Sequence, residues 1–211
     1  MHTSAYNNAQ RFYDCYNWAF PDGFKVIEIG SQDVNGSLRP IFERDCDYTG
    51  VDFVPGKGVD LVLTDPYKIP LPDECADIVV SSSCFEHSEM FWLTFLEIMR
   101  ILKPHGLFYL SVPSNGVYHT YPVDCWRFFP DSGKALVTWA KRNGINAALL
   151  ESYIGYKEAE MIWNDFTAIF LKDEAHIDKH KKRILSVFKD FYNGYVYENP
   201  EIMNRVYWHD K

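Results

Sequence analysis

Short apolar runs bounded by turn residues alternate along this chain with segments whose apolar positions recur at helical spacing. Residues 25–29 (KVIEI), closed by Gly30, are short and β-branched, and they predict a buried strand. Runs at 48–53, 60–63, 77–81 and 107–112 read the same way, the last breaking at Pro113. Ahead of them, residues 7–20 place Phe12, Tyr13 and Tyr16 on one helical face before the Pro21-Asp22-Gly23 stop. A short helix is expected at 38–44. A longer one at 89–102 aligns Phe91, Leu96 and Met99 and ends at Lys103-Pro104-His105-Gly106. A helix at 131–142 and strands at 147–153 and 165–171 follow. Strands and helices in alternation predict an α/β fold, a doubly wound and mostly parallel sheet with an antiparallel last strand.

Beyond Lys172 the chain becomes more charged, and Ile177, Ile184, Phe188 and Phe191 recur near helical spacing. An amphipathic helix over 176–192 is therefore expected, dividing the chain into a domain at 1–172 and a C-terminal helical extension at 173–211. Tyr195, Tyr197, Ile202, Val206, Tyr207 and Trp208 make the tail too apolar to be free. It is expected to fold back on the parent domain or to join a second copy in a homodimer.

Composition narrows the function classes. Across 211 residues the formal net charge is −8, which disfavours double-helical nucleic acid as a partner, since that affinity comes largely from cationic contacts to phosphate. The run KHKKR at 179–183 is flanked by acids and reads as a solvated face. Five cysteines without a CxxC pair argue against a zinc site or disulfide framework, and with no cluster of Asp, Glu and His at metal spacing evident in the sequence no metal is expected. The chain begins without a signal-like apolar run and contains no stretch near the ~20 residues of a membrane span, so a cytoplasmic protein is expected.

The chemistry-bearing residues sit where the strands end, which is where open parallel sheets bind ligands. Gly30, after the first strand, permits a tight turn, and the helix start beyond it would offer free N–H groups to an anion. Asp52, after the second, is placed to accept the hydroxyls of a ribose. Neither residue chooses between cofactors.

The choice comes from a resemblance. Asp65-Pro-Tyr-Lys-Ile-Pro-Leu-Pro-Asp73, then Asp77-Ile-Val-Val-Ser81, Ser81-Ser-Ser-Cys-Phe-Glu-His87 and Leu102-Lys-Pro-His-Gly-Leu-Phe108 resemble, in order, motifs of class I S-adenosylmethionine-dependent methyltransferases. The likeness runs over residues 24–172 and implies a Rossmann-like fold with S-adenosylmethionine as cofactor. It implies that Gly30, Ser31 and Gln32 pass beside the methionine part. Asp52 would hold the ribose with Phe53 against the adenine, Asp65 and Pro66 would meet the adenine edge, and Ser82 and Ser83 would line the sulfonium side. The chain departs from the family at Gln32 and Val34, where glycines are usual, and at His105 in the turn.

A long aromatic loop after the fifth strand, residues 113–130, forms the acceptor side. His119, His87 and Asp124 are candidates for removing a proton, and Tyr118, Tyr121, Trp126 and Arg127 for binding a small-molecule or glycan-precursor acceptor. Its "YPxDxWRF" stretch is similar to one in methyltransferases of glycan and surface-polymer gene products. Plainer roles compete: Arg127 pairing with Asp124, Trp126 and Phe128 packing, His87 serving structure. Arg11 is a weak candidate for capping a cofactor carboxylate. The expected activity is methyl transfer, O-methylation before N-methylation. A catalytically idle cofactor-binding protein is the alternative, and a nicotinamide-dependent oxidoreductase is opposed by the missing GxGxxG.

Overall fold

The computed structural model describes residues 3–42, 46–156 and 162–207. Period-two burial turns the apolar runs into sheet. In β1 (Phe24–Ile29), Val26 packs on one face while Ile27 and Ile29 pack on the other. Strands β2 (Cys46–Asp52), β3 (Leu61–Val62), β4 (Ala76–Ser82) and β5 (Leu102–Pro113) pair in parallel with it in the order β3-β2-β1-β4-β5. Their carboxyl ends therefore share one rim. β7 (Asp165–Leu171) pairs antiparallel with β5, and β6 (Ala148–Gly155) antiparallel with β7, so β6 again runs with the parallel set. This is the expected α/β sheet. β5 begins at Leu102 rather than at 107, because the Lys103-Pro104-His105-Gly106 segment stays in the strand as an irregularity in its pairing with β4.

Helices cover both faces. α1 (Thr3–Tyr16) and α2 (Arg39–Phe42) pack with Val26, Ile78 and Tyr109. α3 (Phe91–Ile101) and α4 (Ser132–Arg142) pack with Ile27, Val79 and Phe108 on the opposite face. The helix expected at 38–44 is a single turn, and residues 43–44 of that expectation lie outside the described residues.

The extension is not the helix that its spacing suggested. Residues 176–192 hold two short 3-10 turns, Glu174–Lys179 and Ile184–Ser186, and then enter β8 (Phe191–Val196). β8 pairs antiparallel with β6, and β9 (Asn199–Met203) pairs antiparallel with β8, extending the sheet to nine strands. The cause lies in one buried carboxylate. Glu151 accepts the backbone amides of Ile184 (2.7 Å) and Leu185 (3.0 Å), which an α-helix would have spent on carbonyls four residues back. Nor is 179–183 a purely solvated face, since His180 and Arg183 are buried. The tail folds back on its own sheet as far as it is described; Trp208 lies outside the described residues.

Candidate functional site

Three crossover loops meet at the carboxyl rim of β1, β2 and β4. Gly30 takes φ +80°, and a Cβ there would stand 2.6 Å from the Cβ of Cys84, so only glycine fits both the turn and the neighbour. The Gly30 and Ser31 amides donate to the Val51 carbonyl at 2.9 and 3.2 Å, locking the loop to β2. The helix expected beyond starts at Arg39, after an irregular run from Gln32, and its described part is one turn long. Asp52 ends β2 nearly enclosed, its carboxylate accepting the amides of Gln32 (3.0 Å) and Val54 (3.2 Å). Each oxygen keeps a further lone pair. Phe53 beside it is half exposed.

The loop after β3 is pinned from α3. Arg100 donates to the carbonyls of Ile69 (2.7 Å) and Leu71 (2.8 Å) and to the Asp73 carboxylate (2.6 Å). Asp65 and Pro66 lie in an exposed turn where the Tyr67 amide donates to the Asp65 carboxylate at 2.9 Å. After β4, Ser83 takes φ +51° and its amide donates to Ser111, while the Ser31 and Ser82 hydroxyls are buried without hydrogen-bond partners. A buried hydroxyl at a strand rim can take a polar ligand as its partner.

The loop at 114–130 is built around Asp124. Both its oxygens accept from Arg127, at 2.5 and 2.8 Å, and the His119 amide adds a bond of 2.8 Å. Arg127 hydrogen bonding holds the Asp124 carboxyl well below the usual carboxylate range, so it stays ionised and engaged. Arg127 also donates to the Val117 carbonyl at 2.9 Å, so both terminal nitrogens of its guanidinium are spent on the loop. Trp126 donates to Ser88 (3.0 Å) and packs edge-on against Phe91 and Trp92. Tyr118 is exposed, and the Tyr121 hydroxyl donates to the Gln32 side chain at 3.0 Å, tying the acceptor loop to the loop after β1. Arg11 stands apart, stacked over Phe188 and bonded to Asn8.

The fold brings His87 and His119 together edge-on, with ring centres 4.9 Å apart. His87 follows β4 and its Nδ1 meets the Val123 carbonyl, while burial lowers its pKa. Two participants were hidden from the sequence. Glu86 is 1% exposed, and burial pushes its pKa up to about 8. Trp163 stands against His119, centres 4.7 Å apart, and its ring fills the space where Gly116 lacks a side chain. Its only signal was its place just ahead of a strand that begins on the same rim.

Residues 34–110 match the family described as a methyltransferase domain. No protein of curated function matches the chain in sequence. Among solved structures, 1,6-didemethyltoxoflavin-N1-methyltransferase of Burkholderia thailandensis, with 1,6-didemethyltoxoflavin and S-adenosylhomocysteine bound, superposes with a TM-score of 0.61 at 14% identity, over 81% of this chain and 79% of its own. The [4+2]-cyclase SpnF superposes at 0.56 with 11% identity, over 80% and 81%. A SAM-dependent methyltransferase from Aquifex aeolicus superposes at 0.50 with 13% identity, over 82% and 99%. Residues 34–110 thus match a methyltransferase domain, and the motif order, the sheet order and the solved neighbours agree on the Rossmann-like methyltransferase fold.

Proposed function

We propose that this protein methylates a hydroxyl of a small, sugar-like acceptor held beneath the 114–130 loop, with an amine acceptor as the near variant. The observation that carries the reading is the joining of the two loops: Tyr121 bonds Gln32 beside the paired imidazoles of His87 and His119. Cofactor and acceptor elements thereby meet over one rim.

The cofactor, when bound, supplies a methyl group on a positively charged sulfur, so the protein's task is mainly orientation and removal of one proton. Asp52 has lone pairs for the ribose hydroxyls, Phe53 an open ring face for the adenine, and Asp65 and Pro66 an exposed edge beside it. Gly30, Ser31, Gln32, Ser82 and Ser83 line the methionine side, where the orphaned Ser31 and Ser82 hydroxyls fit a polar ligand. His119 is the proton acceptor, because its ring is the more open of the two, 37% exposed against 11% for His87, and Asp124 is committed to Arg127. Tyr118 and Tyr121 offer flat faces to a ring, whereas Trp126 and Arg127 shape the loop. The described cysteines are free thiols, which supports a reducing, cytoplasmic setting.

Calorimetric titration tests the cofactor half. Asp52→Ala should weaken S-adenosylhomocysteine by about 1.5–3 kcal/mol, the worth of bonds to a charged group, with near-ultraviolet circular dichroism retained. Unchanged affinity in that variant, or preferential binding of NAD, would overturn it. A panel of hydroxylated and aminated acceptors then separates transfer from a second reading, an idle cofactor-binding protein, which Gln32 in a usual glycine position favours.

A further inference from the structure

Glu86, His87 and His119 converge although no helix or strand requires it. Glu86 and His87 lie in the 3-10 turn Phe85–His87 after β4, and His119 comes from the loop after β5. The Glu86 carbonyl accepts the amides of Cys125 (2.8 Å) and Trp126 (3.2 Å), which fixes that loop against the turn. One ligand-capable atom from each of the three residues lies within 4.8 Å of the others. Glu86 Oε1 is 3.7 Å from His87 Nε2, and Glu86 Oε2 is buried without a hydrogen-bond partner. A buried carboxyl oxygen without a hydrogen-bond partner is costly, and a cation that displaces the carboxyl proton removes that cost.

The groups around the two rings favour the same reading. His87 directs Nδ1 at the Val123 carbonyl, and His119 Nδ1, which makes no hydrogen bond, lies 3.3 Å from Asp124 Oδ2, so both rings keep Nε2 for another partner. Metal-binding histidines are oriented in this manner, one nitrogen on the ion and the other on a carbonyl or carboxylate. Asp124 is itself fixed by Arg127, giving a rigid outer shell.

We propose that Glu86, His87 and His119 form a binding site for one divalent transition-metal ion, with open positions toward the acceptor. Two imidazoles and one carboxylate suit Zn²⁺, Co²⁺ or Fe²⁺ better than Mg²⁺ or Ca²⁺, which favour all-oxygen shells. The binding site stands by itself, whereas its use rests on the methyl-transfer reading. With the ion bound, the two histidines are ligands and the acceptor hydroxyl takes an open position. Its proton then passes to water, because the ion stabilises the oxyanion left behind. The oxyanion attacks the methyl carbon, the new O–C bond forming as the S–C bond breaks with its electron pair left on sulfur. His119 acts as the proton acceptor in the ion-free protein only.

The test uses the full chain, stripped with chelator and titrated with Co²⁺ by visible absorption and with Zn²⁺ by calorimetry. One ion per chain is expected, with affinity lowered at least about tenfold in His87→Gln and in His119→Gln, and unchanged in Cys125→Ser. Each variant is checked for S-adenosylhomocysteine affinity, so that misfolding is seen as such; His119→Gln, on an exposed-side loop, keeps the test valid if His87→Gln unfolds. No stoichiometric uptake, or uptake indifferent to His119→Gln in folded protein, overturns the site. Ion uptake without any S-adenosylhomocysteine binding would instead sink the methyl-transfer reading and leave the site standing.

Discussion

Buried titratable side chains set opposite pH limits on stability, His180 on the acid side and Glu28, together with Glu86, on the alkaline side. His180 is enclosed beside Tyr16 and Phe20, its Nε2 2.8 Å from the His105 carbonyl, and burial brings its pKa down to about 4. A folded value below the unfolded one, near 6.5, means that its share of stability is intact above pH 6.5. That share is lost as pH falls toward 4, by a total of roughly 3 kcal/mol at about 1.4 kcal/mol per unit. Glu28 behaves in reverse: burial, opposed by the Tyr48 hydroxyl at 2.8 Å, pushes its pKa up to about 7 from 4.5. Its contribution is therefore full below pH 4.5 and disappears as pH rises through 7. Denaturant midpoints measured from pH 4 to 9 should fall on both limbs. His180→Gln should flatten the acid limb and Glu28→Gln the alkaline one. An acid limb of unchanged slope in His180→Gln would show that another group controls it.

Among elements, the 114–130 loop concentrates the most dependence on one side chain. Arg127 holds Asp124 through both guanidinium nitrogens and reaches Val117 as well, and Asp124 in turn fixes the His119 amide. Lysine keeps the charge but loses the fork. Arg127→Lys should therefore loosen His119 and cut turnover on the order of 10²-fold, the cost of an ångström of misplacement, while S-adenosylhomocysteine affinity stays within a few-fold. Wild-type turnover in that variant would reduce the pair to decoration. Most elements up to Leu171 were legible because their apolar runs matched one period, some closing at a glycine or proline, although β5 starts earlier than its apolar run and the helix at 38–44 is described only over Arg39–Phe42. The Asp124–Arg127 pair was legible as a three-residue spacing, and Asp52 as the residue that ends a strand. Glu86 and Trp163 were not, because their importance comes from contacts with residues remote in sequence. The segment at 176–192 misled for a related reason: its apolar spacing is compatible with a helix, but Glu151 on β6 claims the amides that a helix needs.

At the scale of the molecule, the residues after Lys172 complete the sheet instead of decorating it. We propose that they and the preceding 172 residues fold as one unit. β8 pairs along β6 from Gly155 to Glu151, so removing it leaves an eight-residue strand with an open edge, which is a template for aggregation. The same removal strips Ile184, Leu185 and Phe191 from the face they share with Leu150 and Tyr153. Burial of such side chains contributes about 1.5–3 kcal/mol each, and the sum approaches the 5–15 kcal/mol that holds a typical domain folded. Glu151 would keep the Tyr16 hydroxyl at 2.6 Å but lose both backbone donors, leaving a buried carboxylate undersatisfied. Deleting 173–211 should therefore give aggregated protein, or protein whose melting temperature falls by many degrees, by light scattering and thermal denaturation. A milder variant keeps the test open if the deletion yields nothing measurable: Phe191→Ala should cost about 3–5 kcal/mol while leaving the strand in place. A truncated chain that stays monomeric and melts at the wild-type temperature would mean that the sheet closes without β8 and β9, and that the unit ends at Lys172.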